Sequence, residues 1–398
     1  MRQRRLWPGV TIGAALALLV VACGGPGADA PDGAAPSPGT GADAPGGADG
    51  PDADGGEPND QELDTAEQVR LQVVATVAPV ADLVARVGGP GVEVDTLVPA
   101  GADSHTYEPR PQDVVGLSEA DAFFGIGLDL NPASVALAET SLPDEAPLLL
   151  LGERIDGDGL IYDHVHGEDG HSHGADTGHS HGDDTGHTHD DDGHTHDDDG
   201  HTHDDDATDD EQQAGPNPHV WTSVRLAAEL VEEIAWVFAD LDPDHADEYQ
   251  ERAEELQVEL ADLDRRIQTA VGTIPADQRT LVAYHDAWSY FARDYGFDLV
   301  TAVQPSDYAE PSAGDVRAVI DLIREHDVPA VFGSEVFPSG VLDTIAAETG
   351  ATYVGDLADD ELPGEPGSDE HTYVELMRRN AVTIVEALGG EPTALTDG

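Results

Sequence analysis

Three histidines and one aspartate stand where a metal ion could bind. His105 lies soon after a predicted strand, and His219 lies just before a predicted helix. His285 and Asp356 lie at the ends of two later predicted strands. Because ligands of open α/β sheets bind beyond the carboxyl ends of the strands, these residues would meet in one cleft. Three imidazoles and one carboxylate are donors that suit a tetrahedral Zn²⁺.

Each of the four residues also has a simpler interpretation. A single histidine is more often a hydrogen-bonded surface or core residue than a ligand, and an aspartate often caps a helix or stabilises a turn. Glu108 and Glu335 compete with Asp356 for the role of carboxylate ligand and are kept as accessory candidates. Outside the His-rich segment, the remaining histidines lie in or beside predicted helices and are assigned to no site: His245, His326 and His371.

A segment rich in histidine and aspartate occupies residues 162–216. It holds 12 of the 18 histidines, in six His-x-His pairs that repeat every seven or eight residues. It has almost no apolar residue able to join a core, so we expect disorder in the absence of metal. The low-affinity metal candidates are His164, His166, His171, His173, His179, His181, His187, His189, His194, His196, His201 and His203.

This His-rich segment allows two interpretations. It could be a solvated acidic loop whose histidines arose by repeat expansion. Alternatively, each His-x-His pair binds one ion, weakly because a flexible site loses conformational entropy on binding. We favour a zinc collector or sensor, since many weak sites raise the metal concentration beside one tight site. Nickel would also suit such a loop, so the segment alone does not identify the metal.

The apolar pattern predicts two α/β lobes with parallel sheets, joined by one long rigid helix. Short apolar strands alternate with helices on both sides of the His-rich segment, which is typical of parallel sheets covered by helices. A stretch of about 27 residues after Pro243 lacks glycine and proline and repeats leucine at helical spacing. We therefore predict a first lobe at 68–242, a linking helix at 243–272 and a second lobe at 273–398.

The N-terminus reads as a targeting segment followed by a tether. Residues 1–22 combine arginines with an apolar stretch too short to span a membrane comfortably, which predicts a signal peptide. The sequence VVAC resembles the lipobox of bacterial lipoproteins and predicts lipidation of Cys23; the alternative is an ordinary signal peptide with an incidental cysteine. Residues 23–67 are mostly Gly, Ala, Pro and Asp and should be disordered.

The charge and cysteine content of the chain exclude some classes of binding partner. The chain carries 82 acidic and 17 basic residues, a formal charge of −65, and all the basic residues are arginine. So acidic a chain lacks the basic surface that nucleic acid requires and favours cations or a high-salt environment. Its single cysteine cannot form an internal disulfide or a thiolate metal site, which leaves nitrogen and oxygen donors for a metal.

Five short motifs, in this order, resemble those of the ZnuA/TroA-like metal-binding lipoproteins of ABC importers, the cluster A-I solute-binding proteins. The similarity extends from about residue 73 to residue 388, and the motifs are GADSHTYEP (101–109), NPHVW (217–221), HDAWSYF (285–291), GSE (333–335) and VGD (354–356). The resemblance implies a solute-binding fold of the helical-backbone type, with His105, His219, His285 and Asp356 as ligands. It also implies that a permease and its ATPase are the partners, and that the chain works outside the cytoplasm as a lipid-anchored monomer.

Zinc is the metal that the resemblance and the donor set favour. In this family a glutamate at the third ligand position accompanies manganese, whereas this chain has His285. Manganese or another divalent ion, with an adhesin or storage role, remains the alternative. A zinc hydrolase would keep one coordination position open for water, and the chain contains no HExxH motif. We therefore expect a metal carrier and not an enzyme.

Overall fold

Two four-stranded parallel sheets form the framework of the chain. A computed structural model describes residues 70–161, 215–303, 311–334 and 340–396. The predicted signal peptide, the tether and all twelve histidines of the His-rich segment lie outside the described residues. Within the described residues, no helix is long and apolar enough to cross a membrane.

The first sheet has the strand order β2-β1-β3-β4. The inner strand β3 (AFFG) is apolar and buried along its whole length, as expected for a strand covered on both faces, whereas β2 (VEVDT) at the edge is mostly not buried. The elements of this first lobe are β1 (Leu71–Ala75), α1 (Ala78–Gly88), β2 (Val92–Thr96), α2 (Pro111–Glu119), β3 (Ala122–Gly125), α3 (Pro132–Ser141), β4 (Leu148–Leu150) and α4 (Val224–Leu241).

The second sheet repeats this arrangement with the order β6-β5-β7-β8. All its pairings are parallel, so the carboxyl ends of its strands lie at one edge. The elements of this second lobe are β5 (Thr280–Ala283), α6 (Ser289–Tyr295), β6 (Asp298–Ala302), α7 (Ala313–His326), β7 (Ala330–Ser334), α8 (Gly340–Thr349), β8 (Thr352–Leu357), α9 (Tyr373–Ala387) and the short α10 (Thr393–Thr396). The structure confirms the predicted fold class of two parallel-sheet α/β lobes.

A 26-residue helix, α5 (Ala246–Val271), connects the two lobes. At about 1.5 Å per residue it is about 39 Å long. Its buried side chains recur at alternating steps of three and four, which places them on one face: Tyr249, Ala253, Leu256, Leu260, Leu263, Ile267 and Ala270. Arg252 donates to the carbonyl oxygens of Val87 and Gly88 in the first lobe, at 2.9 and 3.0 Å.

The main apolar core is continuous from one lobe to the other. It includes Phe124 of the first sheet, Trp221 beside α4, Leu260 of α5 and Phe332 of the second sheet. The lobes therefore share buried surface along α4 and α5 and are not separate bodies joined only by a connector. This shared core fixes the relative positions of residues that lie far apart in the sequence.

Some local details differ from the sequence prediction. The helix predicted to start at Pro243 begins with a 3-10 turn, and α5 starts only at Ala246. The helix α3, which follows Asn131, was not anticipated; the Asn131 side chain caps it by accepting a hydrogen bond from the Ser134 N–H. Further 3-10 turns are Gly89–Gly91, Gly152–Arg154, Gly157–Gly159, Val220–Thr222 and Ala276–Gln278.

Candidate metal site

His105 lies in the loop that follows β2. Gly101 in this loop has a positive φ of 77°, a conformation that glycine adopts readily. The Asp103 carboxylate accepts from the His105 N–H at 2.9 Å and from the Thr106 hydroxyl at 2.6 Å. The Asn131 amide donates to the Ser104 carbonyl at 2.5 Å. These contacts fix the backbone on both sides of the His105 imidazole.

His219 precedes the 3-10 turn that leads into α4. Its ring Nδ1 lies 3.0 Å from the side-chain oxygen of Asn217, which also accepts from the His219 backbone N–H at 3.0 Å. An amide oxygen beside Nδ1 favours the tautomer with a proton on Nδ1, which leaves the Nε2 lone pair available for a metal. The Asn217 side-chain nitrogen donates to the carbonyl of Asp286 at 2.7 Å. Asn217 therefore orients one histidine and links its segment to the residue after His285.

His285 and Asp359 form the second-lobe part of the site. His285 follows β5, and its Nε2 lies 2.9 Å from Asp359 Oδ2. The Ser334 hydroxyl, at the end of β7, donates to Asp359 Oδ1 at 3.0 Å. The indole N–H of Trp221 donates to the Asp359 carbonyl at 2.8 Å. The carboxylate is thus oriented by the second lobe, and the backbone of Asp359 is held by the first lobe.

The three imidazoles lie together in the interior. One ligand atom from each of His105, His219 and His285 lies within 4.8 Å of the other two. His105 Nε2 and His219 Nε2 are 3.0 Å apart, and the three histidines are at most 5% exposed. Two nitrogens on a tetrahedral zinc with bonds of about 2.05 Å would be separated by about 3.3 Å. The His105 and His219 nitrogens therefore have nearly the spacing that one shared ion requires, and a His285 nitrogen lies within 4.8 Å of both.

Burial and mutual repulsion control the protonation of the site. Burial lowers the pKa of His219 well below its ordinary value, and the imidazoles of His105 and His285 lower it further. Burial alone would raise the pKa of Asp359, but His285 and the Ser334 hydroxyl outweigh it, so that this pKa is lowered. A neutral imidazole and an ionised carboxylate are the forms that bind a metal.

A second buried aspartate lies directly beside Asp359. Burial, and then repulsion by the Asp359 carboxylate, raise the pKa of Asp360 to about 7. Its Oδ2 accepts from the Ser104 N–H at 3.3 Å, so Asp360 of the second lobe contacts the loop that carries His105. Neither Asp359 nor Asp360 was predicted from the sequence, because an acidic run such as DDELPGE gives no local sign that its carboxylates are buried.

The structure places a different aspartate from the predicted one beside the histidines. Asp356 is exposed and lies within β8, which continues to Leu357. The chain turns only after β8 has ended, so it is Asp359, three residues later, that lies against His285. Glu108 is also exposed, and it is not among the buried residues that surround the three imidazoles. Glu335, Cys23 and the twelve histidines of the His-rich segment lie outside the described residues.

Comparison with known proteins points to one family. Residues 73–387 match the family described as the periplasmic A component of the zinc-uptake complex, ZnuA. The manganese-binding lipoprotein MntA of Halalkalibacterium halodurans is 27% identical over 318 residues, which cover 80% of this chain and 88% of MntA. The high-affinity zinc uptake system protein ZnuA of Bacillus subtilis is 26% identical over 319 residues, which cover 80% and 88% of the two chains.

A solved structure shows the same fold. The periplasmic zinc-binding protein TroA of Treponema pallidum superposes with a TM-score of 0.63 at 24% identity. The match covers 80% of this chain and 99% of TroA. The two lobes and their connecting helix therefore follow an architecture already known from a periplasmic binding protein.

Proposed function

We propose, from the premise that this chain belongs to the family of the zinc-uptake complex component A, that it captures Zn²⁺ outside the cytoplasm and delivers it to an ABC importer. The ion would be cargo, held by His105, His219, His285 and Asp359. A permease and its ATPase would be the partners that receive it. Lipidation at Cys23 would keep the protein at the membrane.

The observation that carries this proposal is the group of three buried imidazoles with one buried carboxylate against them. Besides the contacts that these four side chains already make, a cation would be a partner that all four share. The ligands come from four separate segments, two in each lobe, so an ion at their centre would hold the lobes together. That arrangement suits reversible capture.

The donor set supports zinc over manganese. Three nitrogen donors and one oxygen donor match the tetrahedral preference of Zn²⁺, whereas Mn²⁺ favours oxygen ligands. The relatives include a protein named for manganese and another named for zinc, so the family alone does not decide between the two ions. Binding of another divalent ion by an importer component or an adhesin is the second candidate; a zinc hydrolase is the third.

Calorimetry tests this proposal with a chain that lacks residues 164–206, so that the His-x-His pairs do not contribute. We expect one tight zinc site and manganese binding that is weaker by at least about tenfold. His285→Ala should weaken zinc binding by about a hundredfold, because one of four ligands is lost. His326→Ala is the matched control, since His326 is an exposed histidine at the end of α7.

Two results would reject the assignment. Unchanged zinc affinity after His285→Ala would show that the three buried histidines do not form the site. Tighter binding of manganese than of zinc by the unaltered site would favour the second candidate. Retention of four protein ligands and no bound water, measured by X-ray absorption on the zinc-loaded protein, would separate carriage from hydrolysis.

The lipid anchor is tested separately. Expression with a radiolabelled fatty acid should label the wild-type chain, and Cys23→Ser should abolish the label. Absence of the label from the wild-type chain would support the alternative that residues 1–22 are an ordinary signal peptide and Cys23 is not lipidated. The importer is tested by growth on chelated medium, where loss of this chain should be rescued by added zinc and not by added manganese.

A further inference from the structure

The segment after β8 contains three consecutive acidic residues with different roles, Asp359–Asp360–Glu361, called here the acidic segment. Asp359 lies against His285 in the second lobe. Asp360 and Glu361 instead contact the first lobe, in the loop that carries His105. The Ser104 N–H donates to Asp360 Oδ2 at 3.3 Å.

The neighbouring contact lies three residues earlier in the same loop. The Gly101 N–H donates to the Glu361 carboxylate. Gly101 is the residue with a positive φ, so this contact holds the point where the loop changes direction. Two backbone donors, one just before His105 and one four residues before it, are thus satisfied by side chains of the other lobe.

The acidic segment is itself firmly attached to the second lobe. The Ala358 N–H donates to the side-chain oxygen of Asn380 on α9 at 3.0 Å, and the Asn380 nitrogen donates back to the Ala358 carbonyl at 2.6 Å. Asn380 is 2% exposed. The His105 loop is therefore hydrogen-bonded to Asp360, and the residue next to Asp359, Ala358, is in turn hydrogen-bonded to the buried Asn380.

This arrangement differs from the support of His219. That histidine is linked to the second lobe through Asn217, whose side-chain nitrogen donates to the Asp286 carbonyl. His105 receives its corresponding support from Asp360, which is 7% exposed and therefore largely shielded from water. A hydrogen bond shielded from water is electrostatically stronger than one exposed to solvent.

On the premise of the proposed function, we propose that Asp360 is a positioning residue for zinc. It holds the His105 loop against the second lobe, and Glu361 adds a second and more exposed contact to the same loop. Zinc release requires His105 to separate from the other ligands, so these contacts must break first. Their loss should therefore accelerate zinc dissociation more than it slows association.

The substitution pair Asp360→Ala and Asp360→Asn separates this role from a purely electrostatic one. Asparagine keeps an oxygen that accepts the Ser104 N–H, but it removes the negative charge. Its amide nitrogen would take the place of Oδ1, which has no hydrogen-bond partner among the described residues. A positioning role predicts that asparagine rescues the alanine defect, whereas a charge role predicts that both variants behave alike.

Two measurements on the full-length chain loaded with one equivalent of zinc provide the test. Stopped-flow transfer to a chelator should show release about tenfold faster for Asp360→Ala, equivalent to about 1.4 kcal/mol, and within about threefold of wild type for Asp360→Asn. Hydrogen–deuterium exchange should show faster uptake at residues 101–106 in the alanine variant. Asp369→Ala, at an exposed aspartate that precedes α9, is the matched control and should change neither quantity.

Wild-type release rates in Asp360→Ala, or equally fast release in the alanine and asparagine variants, would overturn the proposal. If Asp360→Ala fails to fold by circular dichroism, Glu361→Ala carries the same test, with an increase in release rate of about threefold and rescue by Glu361→Gln. Release that stays slow in Glu361→Ala would then count against the proposal. If His285→Ala leaves the zinc affinity unchanged, the proposed function itself is rejected. That result is distinguishable from normal zinc binding with unchanged release rates.

Discussion

The buried polar groups of the site have different partners in its two halves, the first-lobe half with His105 and His219 and the second-lobe half with His285 and Asp359. In the first lobe, His105 and His219 face each other with Nε2 atoms 3.0 Å apart, and neighbouring imidazoles help to depress the pKa of His219. In the second lobe, His285 faces the carboxylate of Asp359 at 2.9 Å. One half resists protonation, and the other half supplies a negative charge. Under the proposed function, a divalent cation would interact favourably with both halves.

The largest effect should follow loss of the carboxylate in the second half. Asp359→Ala should weaken zinc binding by about a hundredfold, because it removes the charged donor and leaves His285 without that acceptor. Asp356→Ala should leave the affinity unchanged, since Asp356 is exposed. Competition with a fluorescent chelator measures both. The opposite ranking of the two variants would restore Asp356 as the ligand.

A change of donor in the same half should alter the choice of metal. His285→Glu places a second carboxylate beside Asp359, and oxygen donors favour manganese over zinc. The ratio of zinc to manganese affinity should fall by about tenfold or more, as measured by parallel titrations with the two ions. His326→Glu is the control, on an exposed helix end. An unchanged ratio would mean that selectivity lies outside the second half.

The first half should control how acid affects the metal-free protein. The folded-state pKa of His219 is lowered, so below about pH 6.5 the unfolded chain binds more protons than the folded one, and stability falls with falling pH. His219→Gln should remove this contribution. Its melting temperature should therefore fall less between pH 7.5 and pH 5 than that of wild type, by about 2 to 4 °C. Parallel pH dependences of the two proteins would contradict this.

Asp360 affects the pH dependence of folding stability in the opposite direction to His219. The two proteins, wild type and His219→Gln, must therefore be compared. Its pKa is raised to about 7, so its contribution to stability is complete below about pH 3.9, the pKa of an unperturbed aspartate, and is lost as the pH rises from there through about 7. The wild-type profile is therefore a sum of opposing contributions. Only the difference between wild type and His219→Gln reports the first half alone.

The smallest effect on the tight site should follow deletion of residues 164–206. The Asn217 N–H donates to the Ile161 carbonyl at 2.7 Å, so the chain ends that flank the His-rich segment already lie together. A short linker should therefore leave the tight zinc site unchanged and remove only weaker sites. Equilibrium dialysis counts both classes. If the deleted chain loses the tight zinc but keeps a native circular dichroism spectrum, the segment is part of the site. In cells, the deletion should slow growth chiefly when zinc is scarce.

The sequence predicted that the three histidines would lie together, and it predicted the fold, because strand ends and short motifs are local features. For the carboxylate it pointed to Asp356, whereas the structure places Asp359 against His285, since the end of β8 determines which aspartate turns inward, and the boundary of a strand depends on pairing with β7. Asp359 and Asp360 carry no local sequence signal of burial. Their burial depends on packing against Trp221 and Ser104, which lie 138 and 256 residues away along the chain. No local pattern encodes contacts at that separation.

The backbone pairing of Ile161 with Asn217 also has a consequence for protein engineering. The two residues that flank the His-rich segment are hydrogen-bonded to each other, and Asn217 also contacts the His219 ring. A fluorescent domain inserted at this junction would be attached within two residues of the metal site. Any shift of His219 on loading would then strain or relax the inserted domain, and its emission would report free zinc. The position thus offers a starting point for a genetically encoded sensor.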